Sequence, residues 1–250
     1  MIVRLNSQAP PDRARLLCFP HGGGSAGNFR HWVKDVPAGV GLYSIELPGR
    51  GARYRERNFT RVGDLVAAIH VAVSSVLDRD YVLFGHSLGA RIAFALAERL
   101  RAEGRPGPQR LAVAGGLPPD RTPARDVSDM SEDDFLSYLA ELGGTPPEAL
   151  ENPELMAYVS QPLRADMLLA QQILPVSGLL DCPLLVLGGR DDREVTYEDL
   201  ERWQHVTRGP VRLQMFPGGH FFVETMHREI VDLLLDGVAP QSAGARRPDV

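Results

Sequence analysis

The sequence predicts an α/β fold in which a mostly parallel sheet is flanked by helices. Six short apolar runs, bounded by turns, have the length of buried strands. Segments with apolar residues at spacings of three and four separate most of these runs, as helices do in βαβ units. The chain has 250 residues, of which 44% are hydrophobic, and this is enough for one such domain with a full core.

The first half of the chain supplies four of the predicted strands. They are expected at residues 16–19, 42–47, 81–84 and 111–115. Helices are predicted between them because apolar residues recur there at helical spacing. These helices are expected over residues 28–36, from about 60 to 77, and over 88–101. Each helix connects two strands, so the strands should run parallel.

The pattern changes between residues 117 and 181, where short helical patterns punctuated by prolines replace strands. Helices are expected there over 130–142, 148–160 and 164–174. We therefore predict a helical lid insertion between the fourth and fifth strands. Strands resume at 184–187 and 211–216, and a helix over about 225–235 closes the domain. The domain is expected to span residues 1–236, followed by a disordered tail over 237–250.

Composition excludes several function classes. The net charge of −5 gives no basic bias for nucleic-acid binding. No apolar run approaches the 18 residues of a membrane span, and the first residues lack the apolar core of a signal peptide. The two cysteines, Cys18 and Cys182, fall in apolar runs, so free buried thiols are expected. The expected location is the cytoplasm.

The third predicted strand runs into Gly85-His86-Ser87-Leu88-Gly89, and a predicted helix follows. Gly-x-Ser-x-Gly between a strand and a helix is typical of the nucleophile elbow, a sharp turn that exposes the serine hydroxyl. Glycine on both sides removes the Cβ atoms that would collide where strand and helix approach. The pentapeptide alone is only suggestive in a chain this rich in glycine, so the strand–turn–helix context carries the inference. Ser87 is the predicted nucleophile.

A serine hydroxyl needs a neighbouring base to take its proton. Of the seven histidines, His220 directly follows the last predicted strand, which is the position of the base in α/β-hydrolases. His31, His70 and His205 fall in predicted helices or at their ends, and His86 is expected to point away from Ser87. His220 is therefore the predicted base.

The acid is expected after the preceding strand, because the order along an α/β-hydrolase chain is Ser, Asp or Glu, then His. Residues 188–193 offer two adjacent aspartates there. The Gly-x-x-Asp spacing counted from Gly189 selects Asp192. The alternative spacing, counted from Gly188, selects Asp191 and stays open at this point.

The oxyanion hole requires two backbone N–H groups. We expect one from Leu88 and the other from the loop after the first predicted strand, where Gly22 is the predicted donor.

The loop that contains Gly22 also supports a rival interpretation. Gly22-x-Gly24-x-x-Gly27 matches a dinucleotide fingerprint, and Glu46 follows about 20 residues later. An NAD-binding Rossmann oxidoreductase, however, leaves the elbow, the Gly-x-x-Asp loop and His220 unexplained.

Four segments together resemble the stand-alone type II thioesterases of polyketide and nonribosomal-peptide pathways. They are Leu17-Cys18-Phe19-Pro20-His21-Gly22-Gly23-Gly24-Ser25-Ala26, Glu46-Leu47-Pro48-Gly49-Arg50-Gly51, Gly85-His86-Ser87-Leu88-Gly89 and Phe216-Pro217-Gly218-Gly219-His220-Phe221-Phe222. In the predicted insertion, Leu142-Gly143-Gly144-Thr145-Pro146 resembles the lid of that family. At His21-Gly22 the family often has an aromatic residue followed by alanine, a departure that leaves the backbone donor in place.

The resemblance implies an α/β-hydrolase that releases acyl groups from the phosphopantetheine arm of an acyl or peptidyl carrier protein. It assigns Ser87, His220 and Asp192 to a catalytic triad, and it implies no cofactor, no metal and a monomer. A small-molecule carboxylesterase of the same fold is the alternative, and a hydrolase-fold binding protein is a more remote one.

The resemblance leaves the substrate's acyl length and the pathway open. The predicted lid carries six apolar residues that either pack against the body or line an acyl channel, and which of them line the channel also stays open: Met130, Phe135, Leu139, Met156, Met167 and Leu168. The basic residues Arg50, Arg53, Arg55 and Arg57 either face an acidic carrier protein or form a solvated loop.

Overall fold

The computed structural model describes residues 1–6, 12–142 and 147–238, and seven strands in that part of the chain form one sheet. The strands are β1 (Ile2–Arg4), β2 (Ala14–Phe19), β3 (Val40–Ile45), β4 (Asp80–His86), β5 (Arg110–Ala114), β6 (Leu184–Gly189) and β7 (Val211–Phe216). Their order across the sheet is β1-β3-β2-β4-β5-β6-β7. All neighbours are parallel except β1, which pairs antiparallel with β3.

All six predicted strands form, which confirms the mostly parallel α/β sheet. β1 was not predicted, because three residues carry no periodic signal and the strand exists only through its pairing with β3, where Ile2 lies opposite Ile45. β3 and β6 are buried at every residue, as expected for strands covered on both faces.

Helices cover the two faces of this sheet and form the insertion. The α-helices are α1 (Val62–Val73), α2 (Leu88–Ala102), α3 (Glu132–Leu142), α4 (Pro147–Leu150), α5 (Pro153–Ala170), α6 (Tyr197–Glu201), α7 (Phe222–Thr225) and α8 (His227–Leu235). Segments of 3₁₀-helix occur at Ala26–Lys34, Gly51–Arg53, Ser74–Val76 and Arg202–Val206. The helix predicted over 28–36 is therefore a 3₁₀-helix, which begins at a Ser25 capping box.

Two of the predicted helices are one. The prolines suggested separate helices over 148–160 and 164–174, but α5 continues through Pro162. An internal proline removes one N–H donor from a helix without removing its side-chain contacts, and tertiary packing outweighs that loss here. Asn152 caps the start of α5 by accepting a hydrogen bond from the Leu155 N–H at 3.1 Å. The predicted closing helix forms as α8, which ends at Leu235 as expected, and the short helix α7 precedes it.

Apolar side chains alternate between the two faces of the sheet. In β2, Leu17 and Phe19 join the cluster under α1 and α2, whereas Leu16 and Cys18 join the cluster under α8 and the Ala26–Lys34 segment.

Cys18 and Cys182 are both free thiols, and burial raises the pKa of Cys182 to about 11. No helix in the described ranges is long and apolar enough to cross a membrane.

The insertion between β5 and β6, here called the lid, contains in its described part the helices α3, α4 and α5 and the segments that join them to the sheet. It has its own small core, formed by Val127, Phe135, Tyr138, Leu139, Met156 and Leu163. The predicted Leu-Gly-Gly-Thr-Pro segment falls outside the described residues from Gly143 on, and so does the predicted tail from residue 239 on.

Candidate active site

Ser87 lies in the sharp turn between β4 and α2. Its φ of 55° is the one positive value outside glycine in the ranges that the structure covers, and its ψ is −117°. A Cβ on Gly85 would lie 2.1 Å from the Gly89 carbonyl oxygen, and a Cβ on Gly89 would lie 2.1 Å from the Phe19 carbonyl oxygen. Both positions therefore require glycine, because the turn brings strand, helix and neighbouring loop into backbone contact.

Three side chains from three different loops form a hydrogen-bonded chain. His220 Nε2 lies 2.9 Å from Ser87 Oγ, and His220 Nδ1 lies 2.8 Å from Asp192 Oδ2. The Asp192 side chain is 1% exposed and that of His220 is 14% exposed. The arrangement leaves the serine and histidine open to a ligand while the carboxylate is shielded from water.

The structure distinguishes the two adjacent aspartates. Asp192 Oδ1 accepts hydrogen bonds from the backbone N–H groups of Glu194 at 2.8 Å and Val195 at 3.2 Å, which leaves Oδ2 for His220. Asp191 is exposed, and its N–H donates to the Gly218 carbonyl. The Asp192 spacing is therefore the one that the geometry brings to His220.

His86 supports His220 in a way that the sequence did not indicate. Its Nε2–H donates to the His220 carbonyl at 2.8 Å, and the two imidazole rings lie 5.3 Å apart. Burial lowers the pKa of His86 well below its ordinary value, so the ring is neutral and can serve as donor through one nitrogen. The second position of the elbow motif, which His86 occupies, tolerates many residues, so the motif itself carried no signal of this contact.

The two predicted oxyanion donors border the same cavity as Ser87 and His220. Leu88 is the first residue of α2, so its N–H has no partner within the helix. Gly22 lies in the glycine loop, which we define as residues 21–24. The Gly22 carbonyl accepts a hydrogen bond from His21 Nδ1 at 2.8 Å, and the Gly23 N–H donates to Asp166 Oδ2 at 2.8 Å.

Glu46, the acid of the rival dinucleotide interpretation, has a structural contact instead. It is 7% exposed, and its Oε2 accepts the Ala26 N–H at 2.8 Å at the start of the 3₁₀-helix that follows the glycine loop. A carboxylate used in this way does not face a ribose, so the local geometry does not support that interpretation.

A cavity of about 330 Å³ opens above Ser87. Lid side chains that line it are mainly apolar: Tyr138, Leu139, Leu155, Val159, Leu163 and Met167. Of the six apolar lid residues considered from the sequence, Leu139 and Met167 line this cavity. Phe135 and Met156 are buried in the lid core, and Met130 and Leu168 pack against it.

Arg50 is not part of a solvated loop. It is 7% exposed and forms a bidentate ion pair with Asp166 of α5, which is 2% exposed. Arg53 pairs with Glu56, whereas the side chains of Arg55 and Arg57 are exposed to solvent.

Arg91 of α2 is a second buried cation that sequence patterns missed. Its guanidinium donates to the carbonyls of Leu117, Pro118, Arg121 and Gln172, at the two ends of the lid. Burial lowers the pKa of Arg91 to about 10. An arginine within an amphipathic helix ordinarily faces water, so no local pattern could mark this one as buried.

The sheet order, the elbow and the helical insertion after β5 define an α/β-hydrolase. The chain belongs to the thioesterase-domain family, which matches residues 14–236. It is a hydrolase of thioesters, and the resemblance to type II thioesterases is confirmed.

Relatives with biosynthetic names cover most of the chain. A probable cadicidin biosynthesis thioesterase of Streptomyces griseus is 36% identical over 99% of this chain and 66% of its own length. The gramicidin S biosynthesis protein GrsT of Aneurinibacillus migulanus is 31% identical over 93% of this chain and 90% of its own. Among solved structures, YbtT, a type II thioesterase from the yersiniabactin NRPS/PKS pathway, has a TM-score of 0.85 at 28% identity. That match covers 94% of this chain and 97% of YbtT.

Proposed function

We propose that this protein hydrolyses acyl thioesters on the phosphopantetheine arm of acyl or peptidyl carrier proteins in polyketide or nonribosomal-peptide synthesis. The reaction would remove misloaded or stalled chains. The observation that carries the proposal is the hydrogen-bonded chain from Ser87 through His220 to Asp192 beneath a mainly apolar cavity. All three side chains come from one polypeptide, so a monomer is sufficient for catalysis.

In the first half of the reaction, Ser87 Oγ attacks the thioester carbonyl and its proton passes to His220 Nε2, which lies within hydrogen-bond reach. Asp192 accepts the Nδ1–H of His220, which fixes the tautomer that leaves Nε2 free to act as base. The N–H groups of Leu88 and Gly22 hold the negative charge that develops on the carbonyl oxygen. The carbon–sulfur bond then breaks, and the thiol of the arm leaves with the proton from His220.

In the second half, a water molecule attacks the acyl-enzyme ester. His220 takes a proton from that water and returns it to Ser87 Oγ as the carbon–oxygen bond breaks, which regenerates the serine and releases the carboxylic acid. The apolar side chains of the lid fit the hydrocarbon part of an acyl group, because its burial there removes apolar surface from water.

The test compares an acyl group on a phosphopantetheinylated carrier protein with the same acyl group on a small alcohol. We expect hydrolysis of the loaded carrier, with loss of activity in Ser87→Ala. A fast ester reaction with an untouched carrier would favour the carboxylesterase. Failure of both reactions would favour a binding protein, and full activity of Ser87→Ala would refute the mechanism.

A further inference from the structure

A side chain of the lid holds the glycine loop next to the nucleophile. Asp166 lies on α5, and its Oδ2 accepts the Gly23 N–H at 2.8 Å across 143 residues of sequence. The same carboxylate accepts hydrogen bonds from both terminal nitrogens of the Arg50 guanidinium, and Nη2 lies 2.8 Å from Oδ1. The Asp166 carboxylate is therefore fixed by one side chain and fixes one backbone group.

The peptide unit between Gly22 and Gly23 is held at both of its ends. Its carbonyl accepts from His21 Nδ1 at 2.8 Å, and its N–H donates to Asp166 at 2.8 Å. Because a peptide unit is planar, two such bonds fix the orientation of the plane and so restrict ψ of Gly22. Glycine has no Cβ to restrict its own backbone, so these bonds do for Gly22 what a side chain does elsewhere.

α5 also lies directly against the glycine loop. A Cβ on Gly23, whose φ is +78°, would lie 2.8 Å from Leu163 Cδ1, and a Cβ on Gly22 would lie 3.6 Å from Asp166 Cβ. Arg50 continues the contact, since its Nη1 donates to the Gly24 carbonyl at 3.2 Å. The loop, the Arg50 segment and the lid helix thus form one hydrogen-bonded unit.

We propose that Asp166, supported by Arg50, is a positioning residue that couples the seating of α5 to the geometry of the oxyanion hole. With α5 in place, the Gly22–Gly23 peptide is fixed and the adjacent Gly22 N–H is aimed at the developing charge. When α5 moves away, the Gly23 N–H loses its acceptor and the Gly22 backbone is released. Acyl transfer to Ser87 is thereby restricted to the state in which the lid covers the cavity. This inference rests on the proposed function of Ser87 and Gly22.

The test must separate the hydrogen bond from the buried charges. Replacing Asp166 alone would leave the Arg50 guanidinium unpaired and buried, which is strongly destabilising in itself. Two double variants avoid this, Arg50→Leu/Asp166→Asn and Arg50→Leu/Asp166→Leu. Each double variant removes the charges of Arg50 and Asp166. The two variants differ in whether the side chain at position 166 can accept a hydrogen bond from the Gly23 N–H. Asn and Leu share the same branched side-chain skeleton of four heavy atoms, so the two variants match in shape, although the leucine methyl groups are bulkier than the amide.

Two kinds of measurement report on the oxyanion hole. The first is kcat and KM for an acyl thioester, and the second is the inhibition constant of an alkyl boronic acid, which forms a tetrahedral adduct with the serine. We expect the Leu/Leu variant to have a kcat about 10- to 100-fold below that of the Leu/Asn variant, as part of the effect of losing one oxyanion donor. The affinity of the boronic acid should fall by a similar factor in the Leu/Leu variant, whereas KM for the thioester should be nearly the same in the two variants.

A control variant tests whether the loss of any buried ion pair lowers kcat, and hydrogen exchange provides a second measurement. Asp35→Asn alters another buried, ion-paired carboxylate, outside the cavity lining, and should lower the melting temperature without changing kcat. If the double variants do not fold, amide hydrogen exchange of the unmodified protein serves instead, and Gly23 should exchange together with α5.

Equal kcat and equal boronic-acid affinity in the two double variants would overturn the coupling, and so would protection of Gly23 while α5 exchanges. Neither result would affect the proposed function, which fails only if Ser87→Ala stays active or the loaded carrier is not hydrolysed.

Discussion

Replacing Asp192 by asparagine changes one atom of the proposed triad, and the structure determines which way the amide would turn. Oδ1 of Asp192 faces two backbone N–H donors, at 2.8 and 3.2 Å, whereas Oδ2 faces His220 Nδ1. The amide oxygen of the variant must occupy the Oδ1 position, since an NH₂ group there would face two donors. The NH₂ group is thereby directed at His220.

The consequence is the wrong tautomer of His220. An NH₂ donor requires Nδ1 to accept, so the ring proton moves to Nε2, the atom that lies 2.9 Å from Ser87 Oγ. A protonated Nε2 cannot take the serine proton. Loss of the base in this way costs about 10⁴-fold in kcat. At 1.36 kcal/mol for each tenfold change, this is about 5.4 kcal/mol of transition-state stabilisation.

Steady-state hydrolysis of an acyl thioester by both variants, Asp192→Asn and Asp191→Asn, tests this reasoning. Asp191 is exposed and makes its loop contact through the backbone, so its variant should retain activity within about twofold and serves as a matched control. Thermal melts of both should stay within a few degrees of the unmodified protein. An Asp192→Asn kcat within tenfold of normal, or an equal loss in Asp191→Asn, would refute the assignment.

Three further predictions concern stability. Gly89→Ala puts a Cβ 2.1 Å from a β2 carbonyl and should cost about 4 kcal/mol or prevent folding. In Gly63→Ala the new Cβ would meet no atom within 4 Å beyond its own helix backbone, so this variant should raise the melting temperature by about 1–4 °C. Similar melting-temperature shifts in the Gly89 and Gly63 variants would contradict the steric account. Because burial lowers the pKa of His86 below the ordinary 6.5, the unfolded chain binds more protons as the pH falls, and stability is lost below about pH 6.5. Between pH 7.5 and 5.5, the melting temperature should fall less in His86→Gln than in the unmodified protein. An equal fall in the two proteins would exclude His86 as the cause. Arg91→Met should cost about 3 kcal/mol and speed proteolysis within the lid, because four carbonyls lose a charged donor. Arg99→Met, at a half-exposed pair, should change neither measurement.

Most of the sheet was predictable because buried parallel strands are short and continuously apolar, which is a local property of the sequence. The differences lie where tertiary contacts decide. β1 is a strand because β3 offers it an edge, and α5 continues through Pro162 because its side chains pack over the glycine loop and in the lid core. Neither contact leaves a mark in the sequence of the segment itself.

The sequence by itself determined the order and placement of Ser87, of the adjacent aspartates Asp191 and Asp192, and of His220. Each follows its own predicted strand, and the carboxyl ends of parallel strands lie at one edge of a sheet, so their proximity follows from the pattern. The Gly-x-x-Asp spacing favoured Asp192, and the tertiary structure brings that residue rather than Asp191 to His220, because the direction of a carboxylate depends on the turn that carries it.

The tertiary structure alone also revealed that Arg50 is buried against Asp166, 116 residues away. In the sequence, Arg50 is one of several arginines in a polar loop, and Asp166 is one acid in an amphipathic helix. A pairing between distant segments depends on how the lid packs against the sheet, and one sequence contains no local periodicity that encodes such a contact.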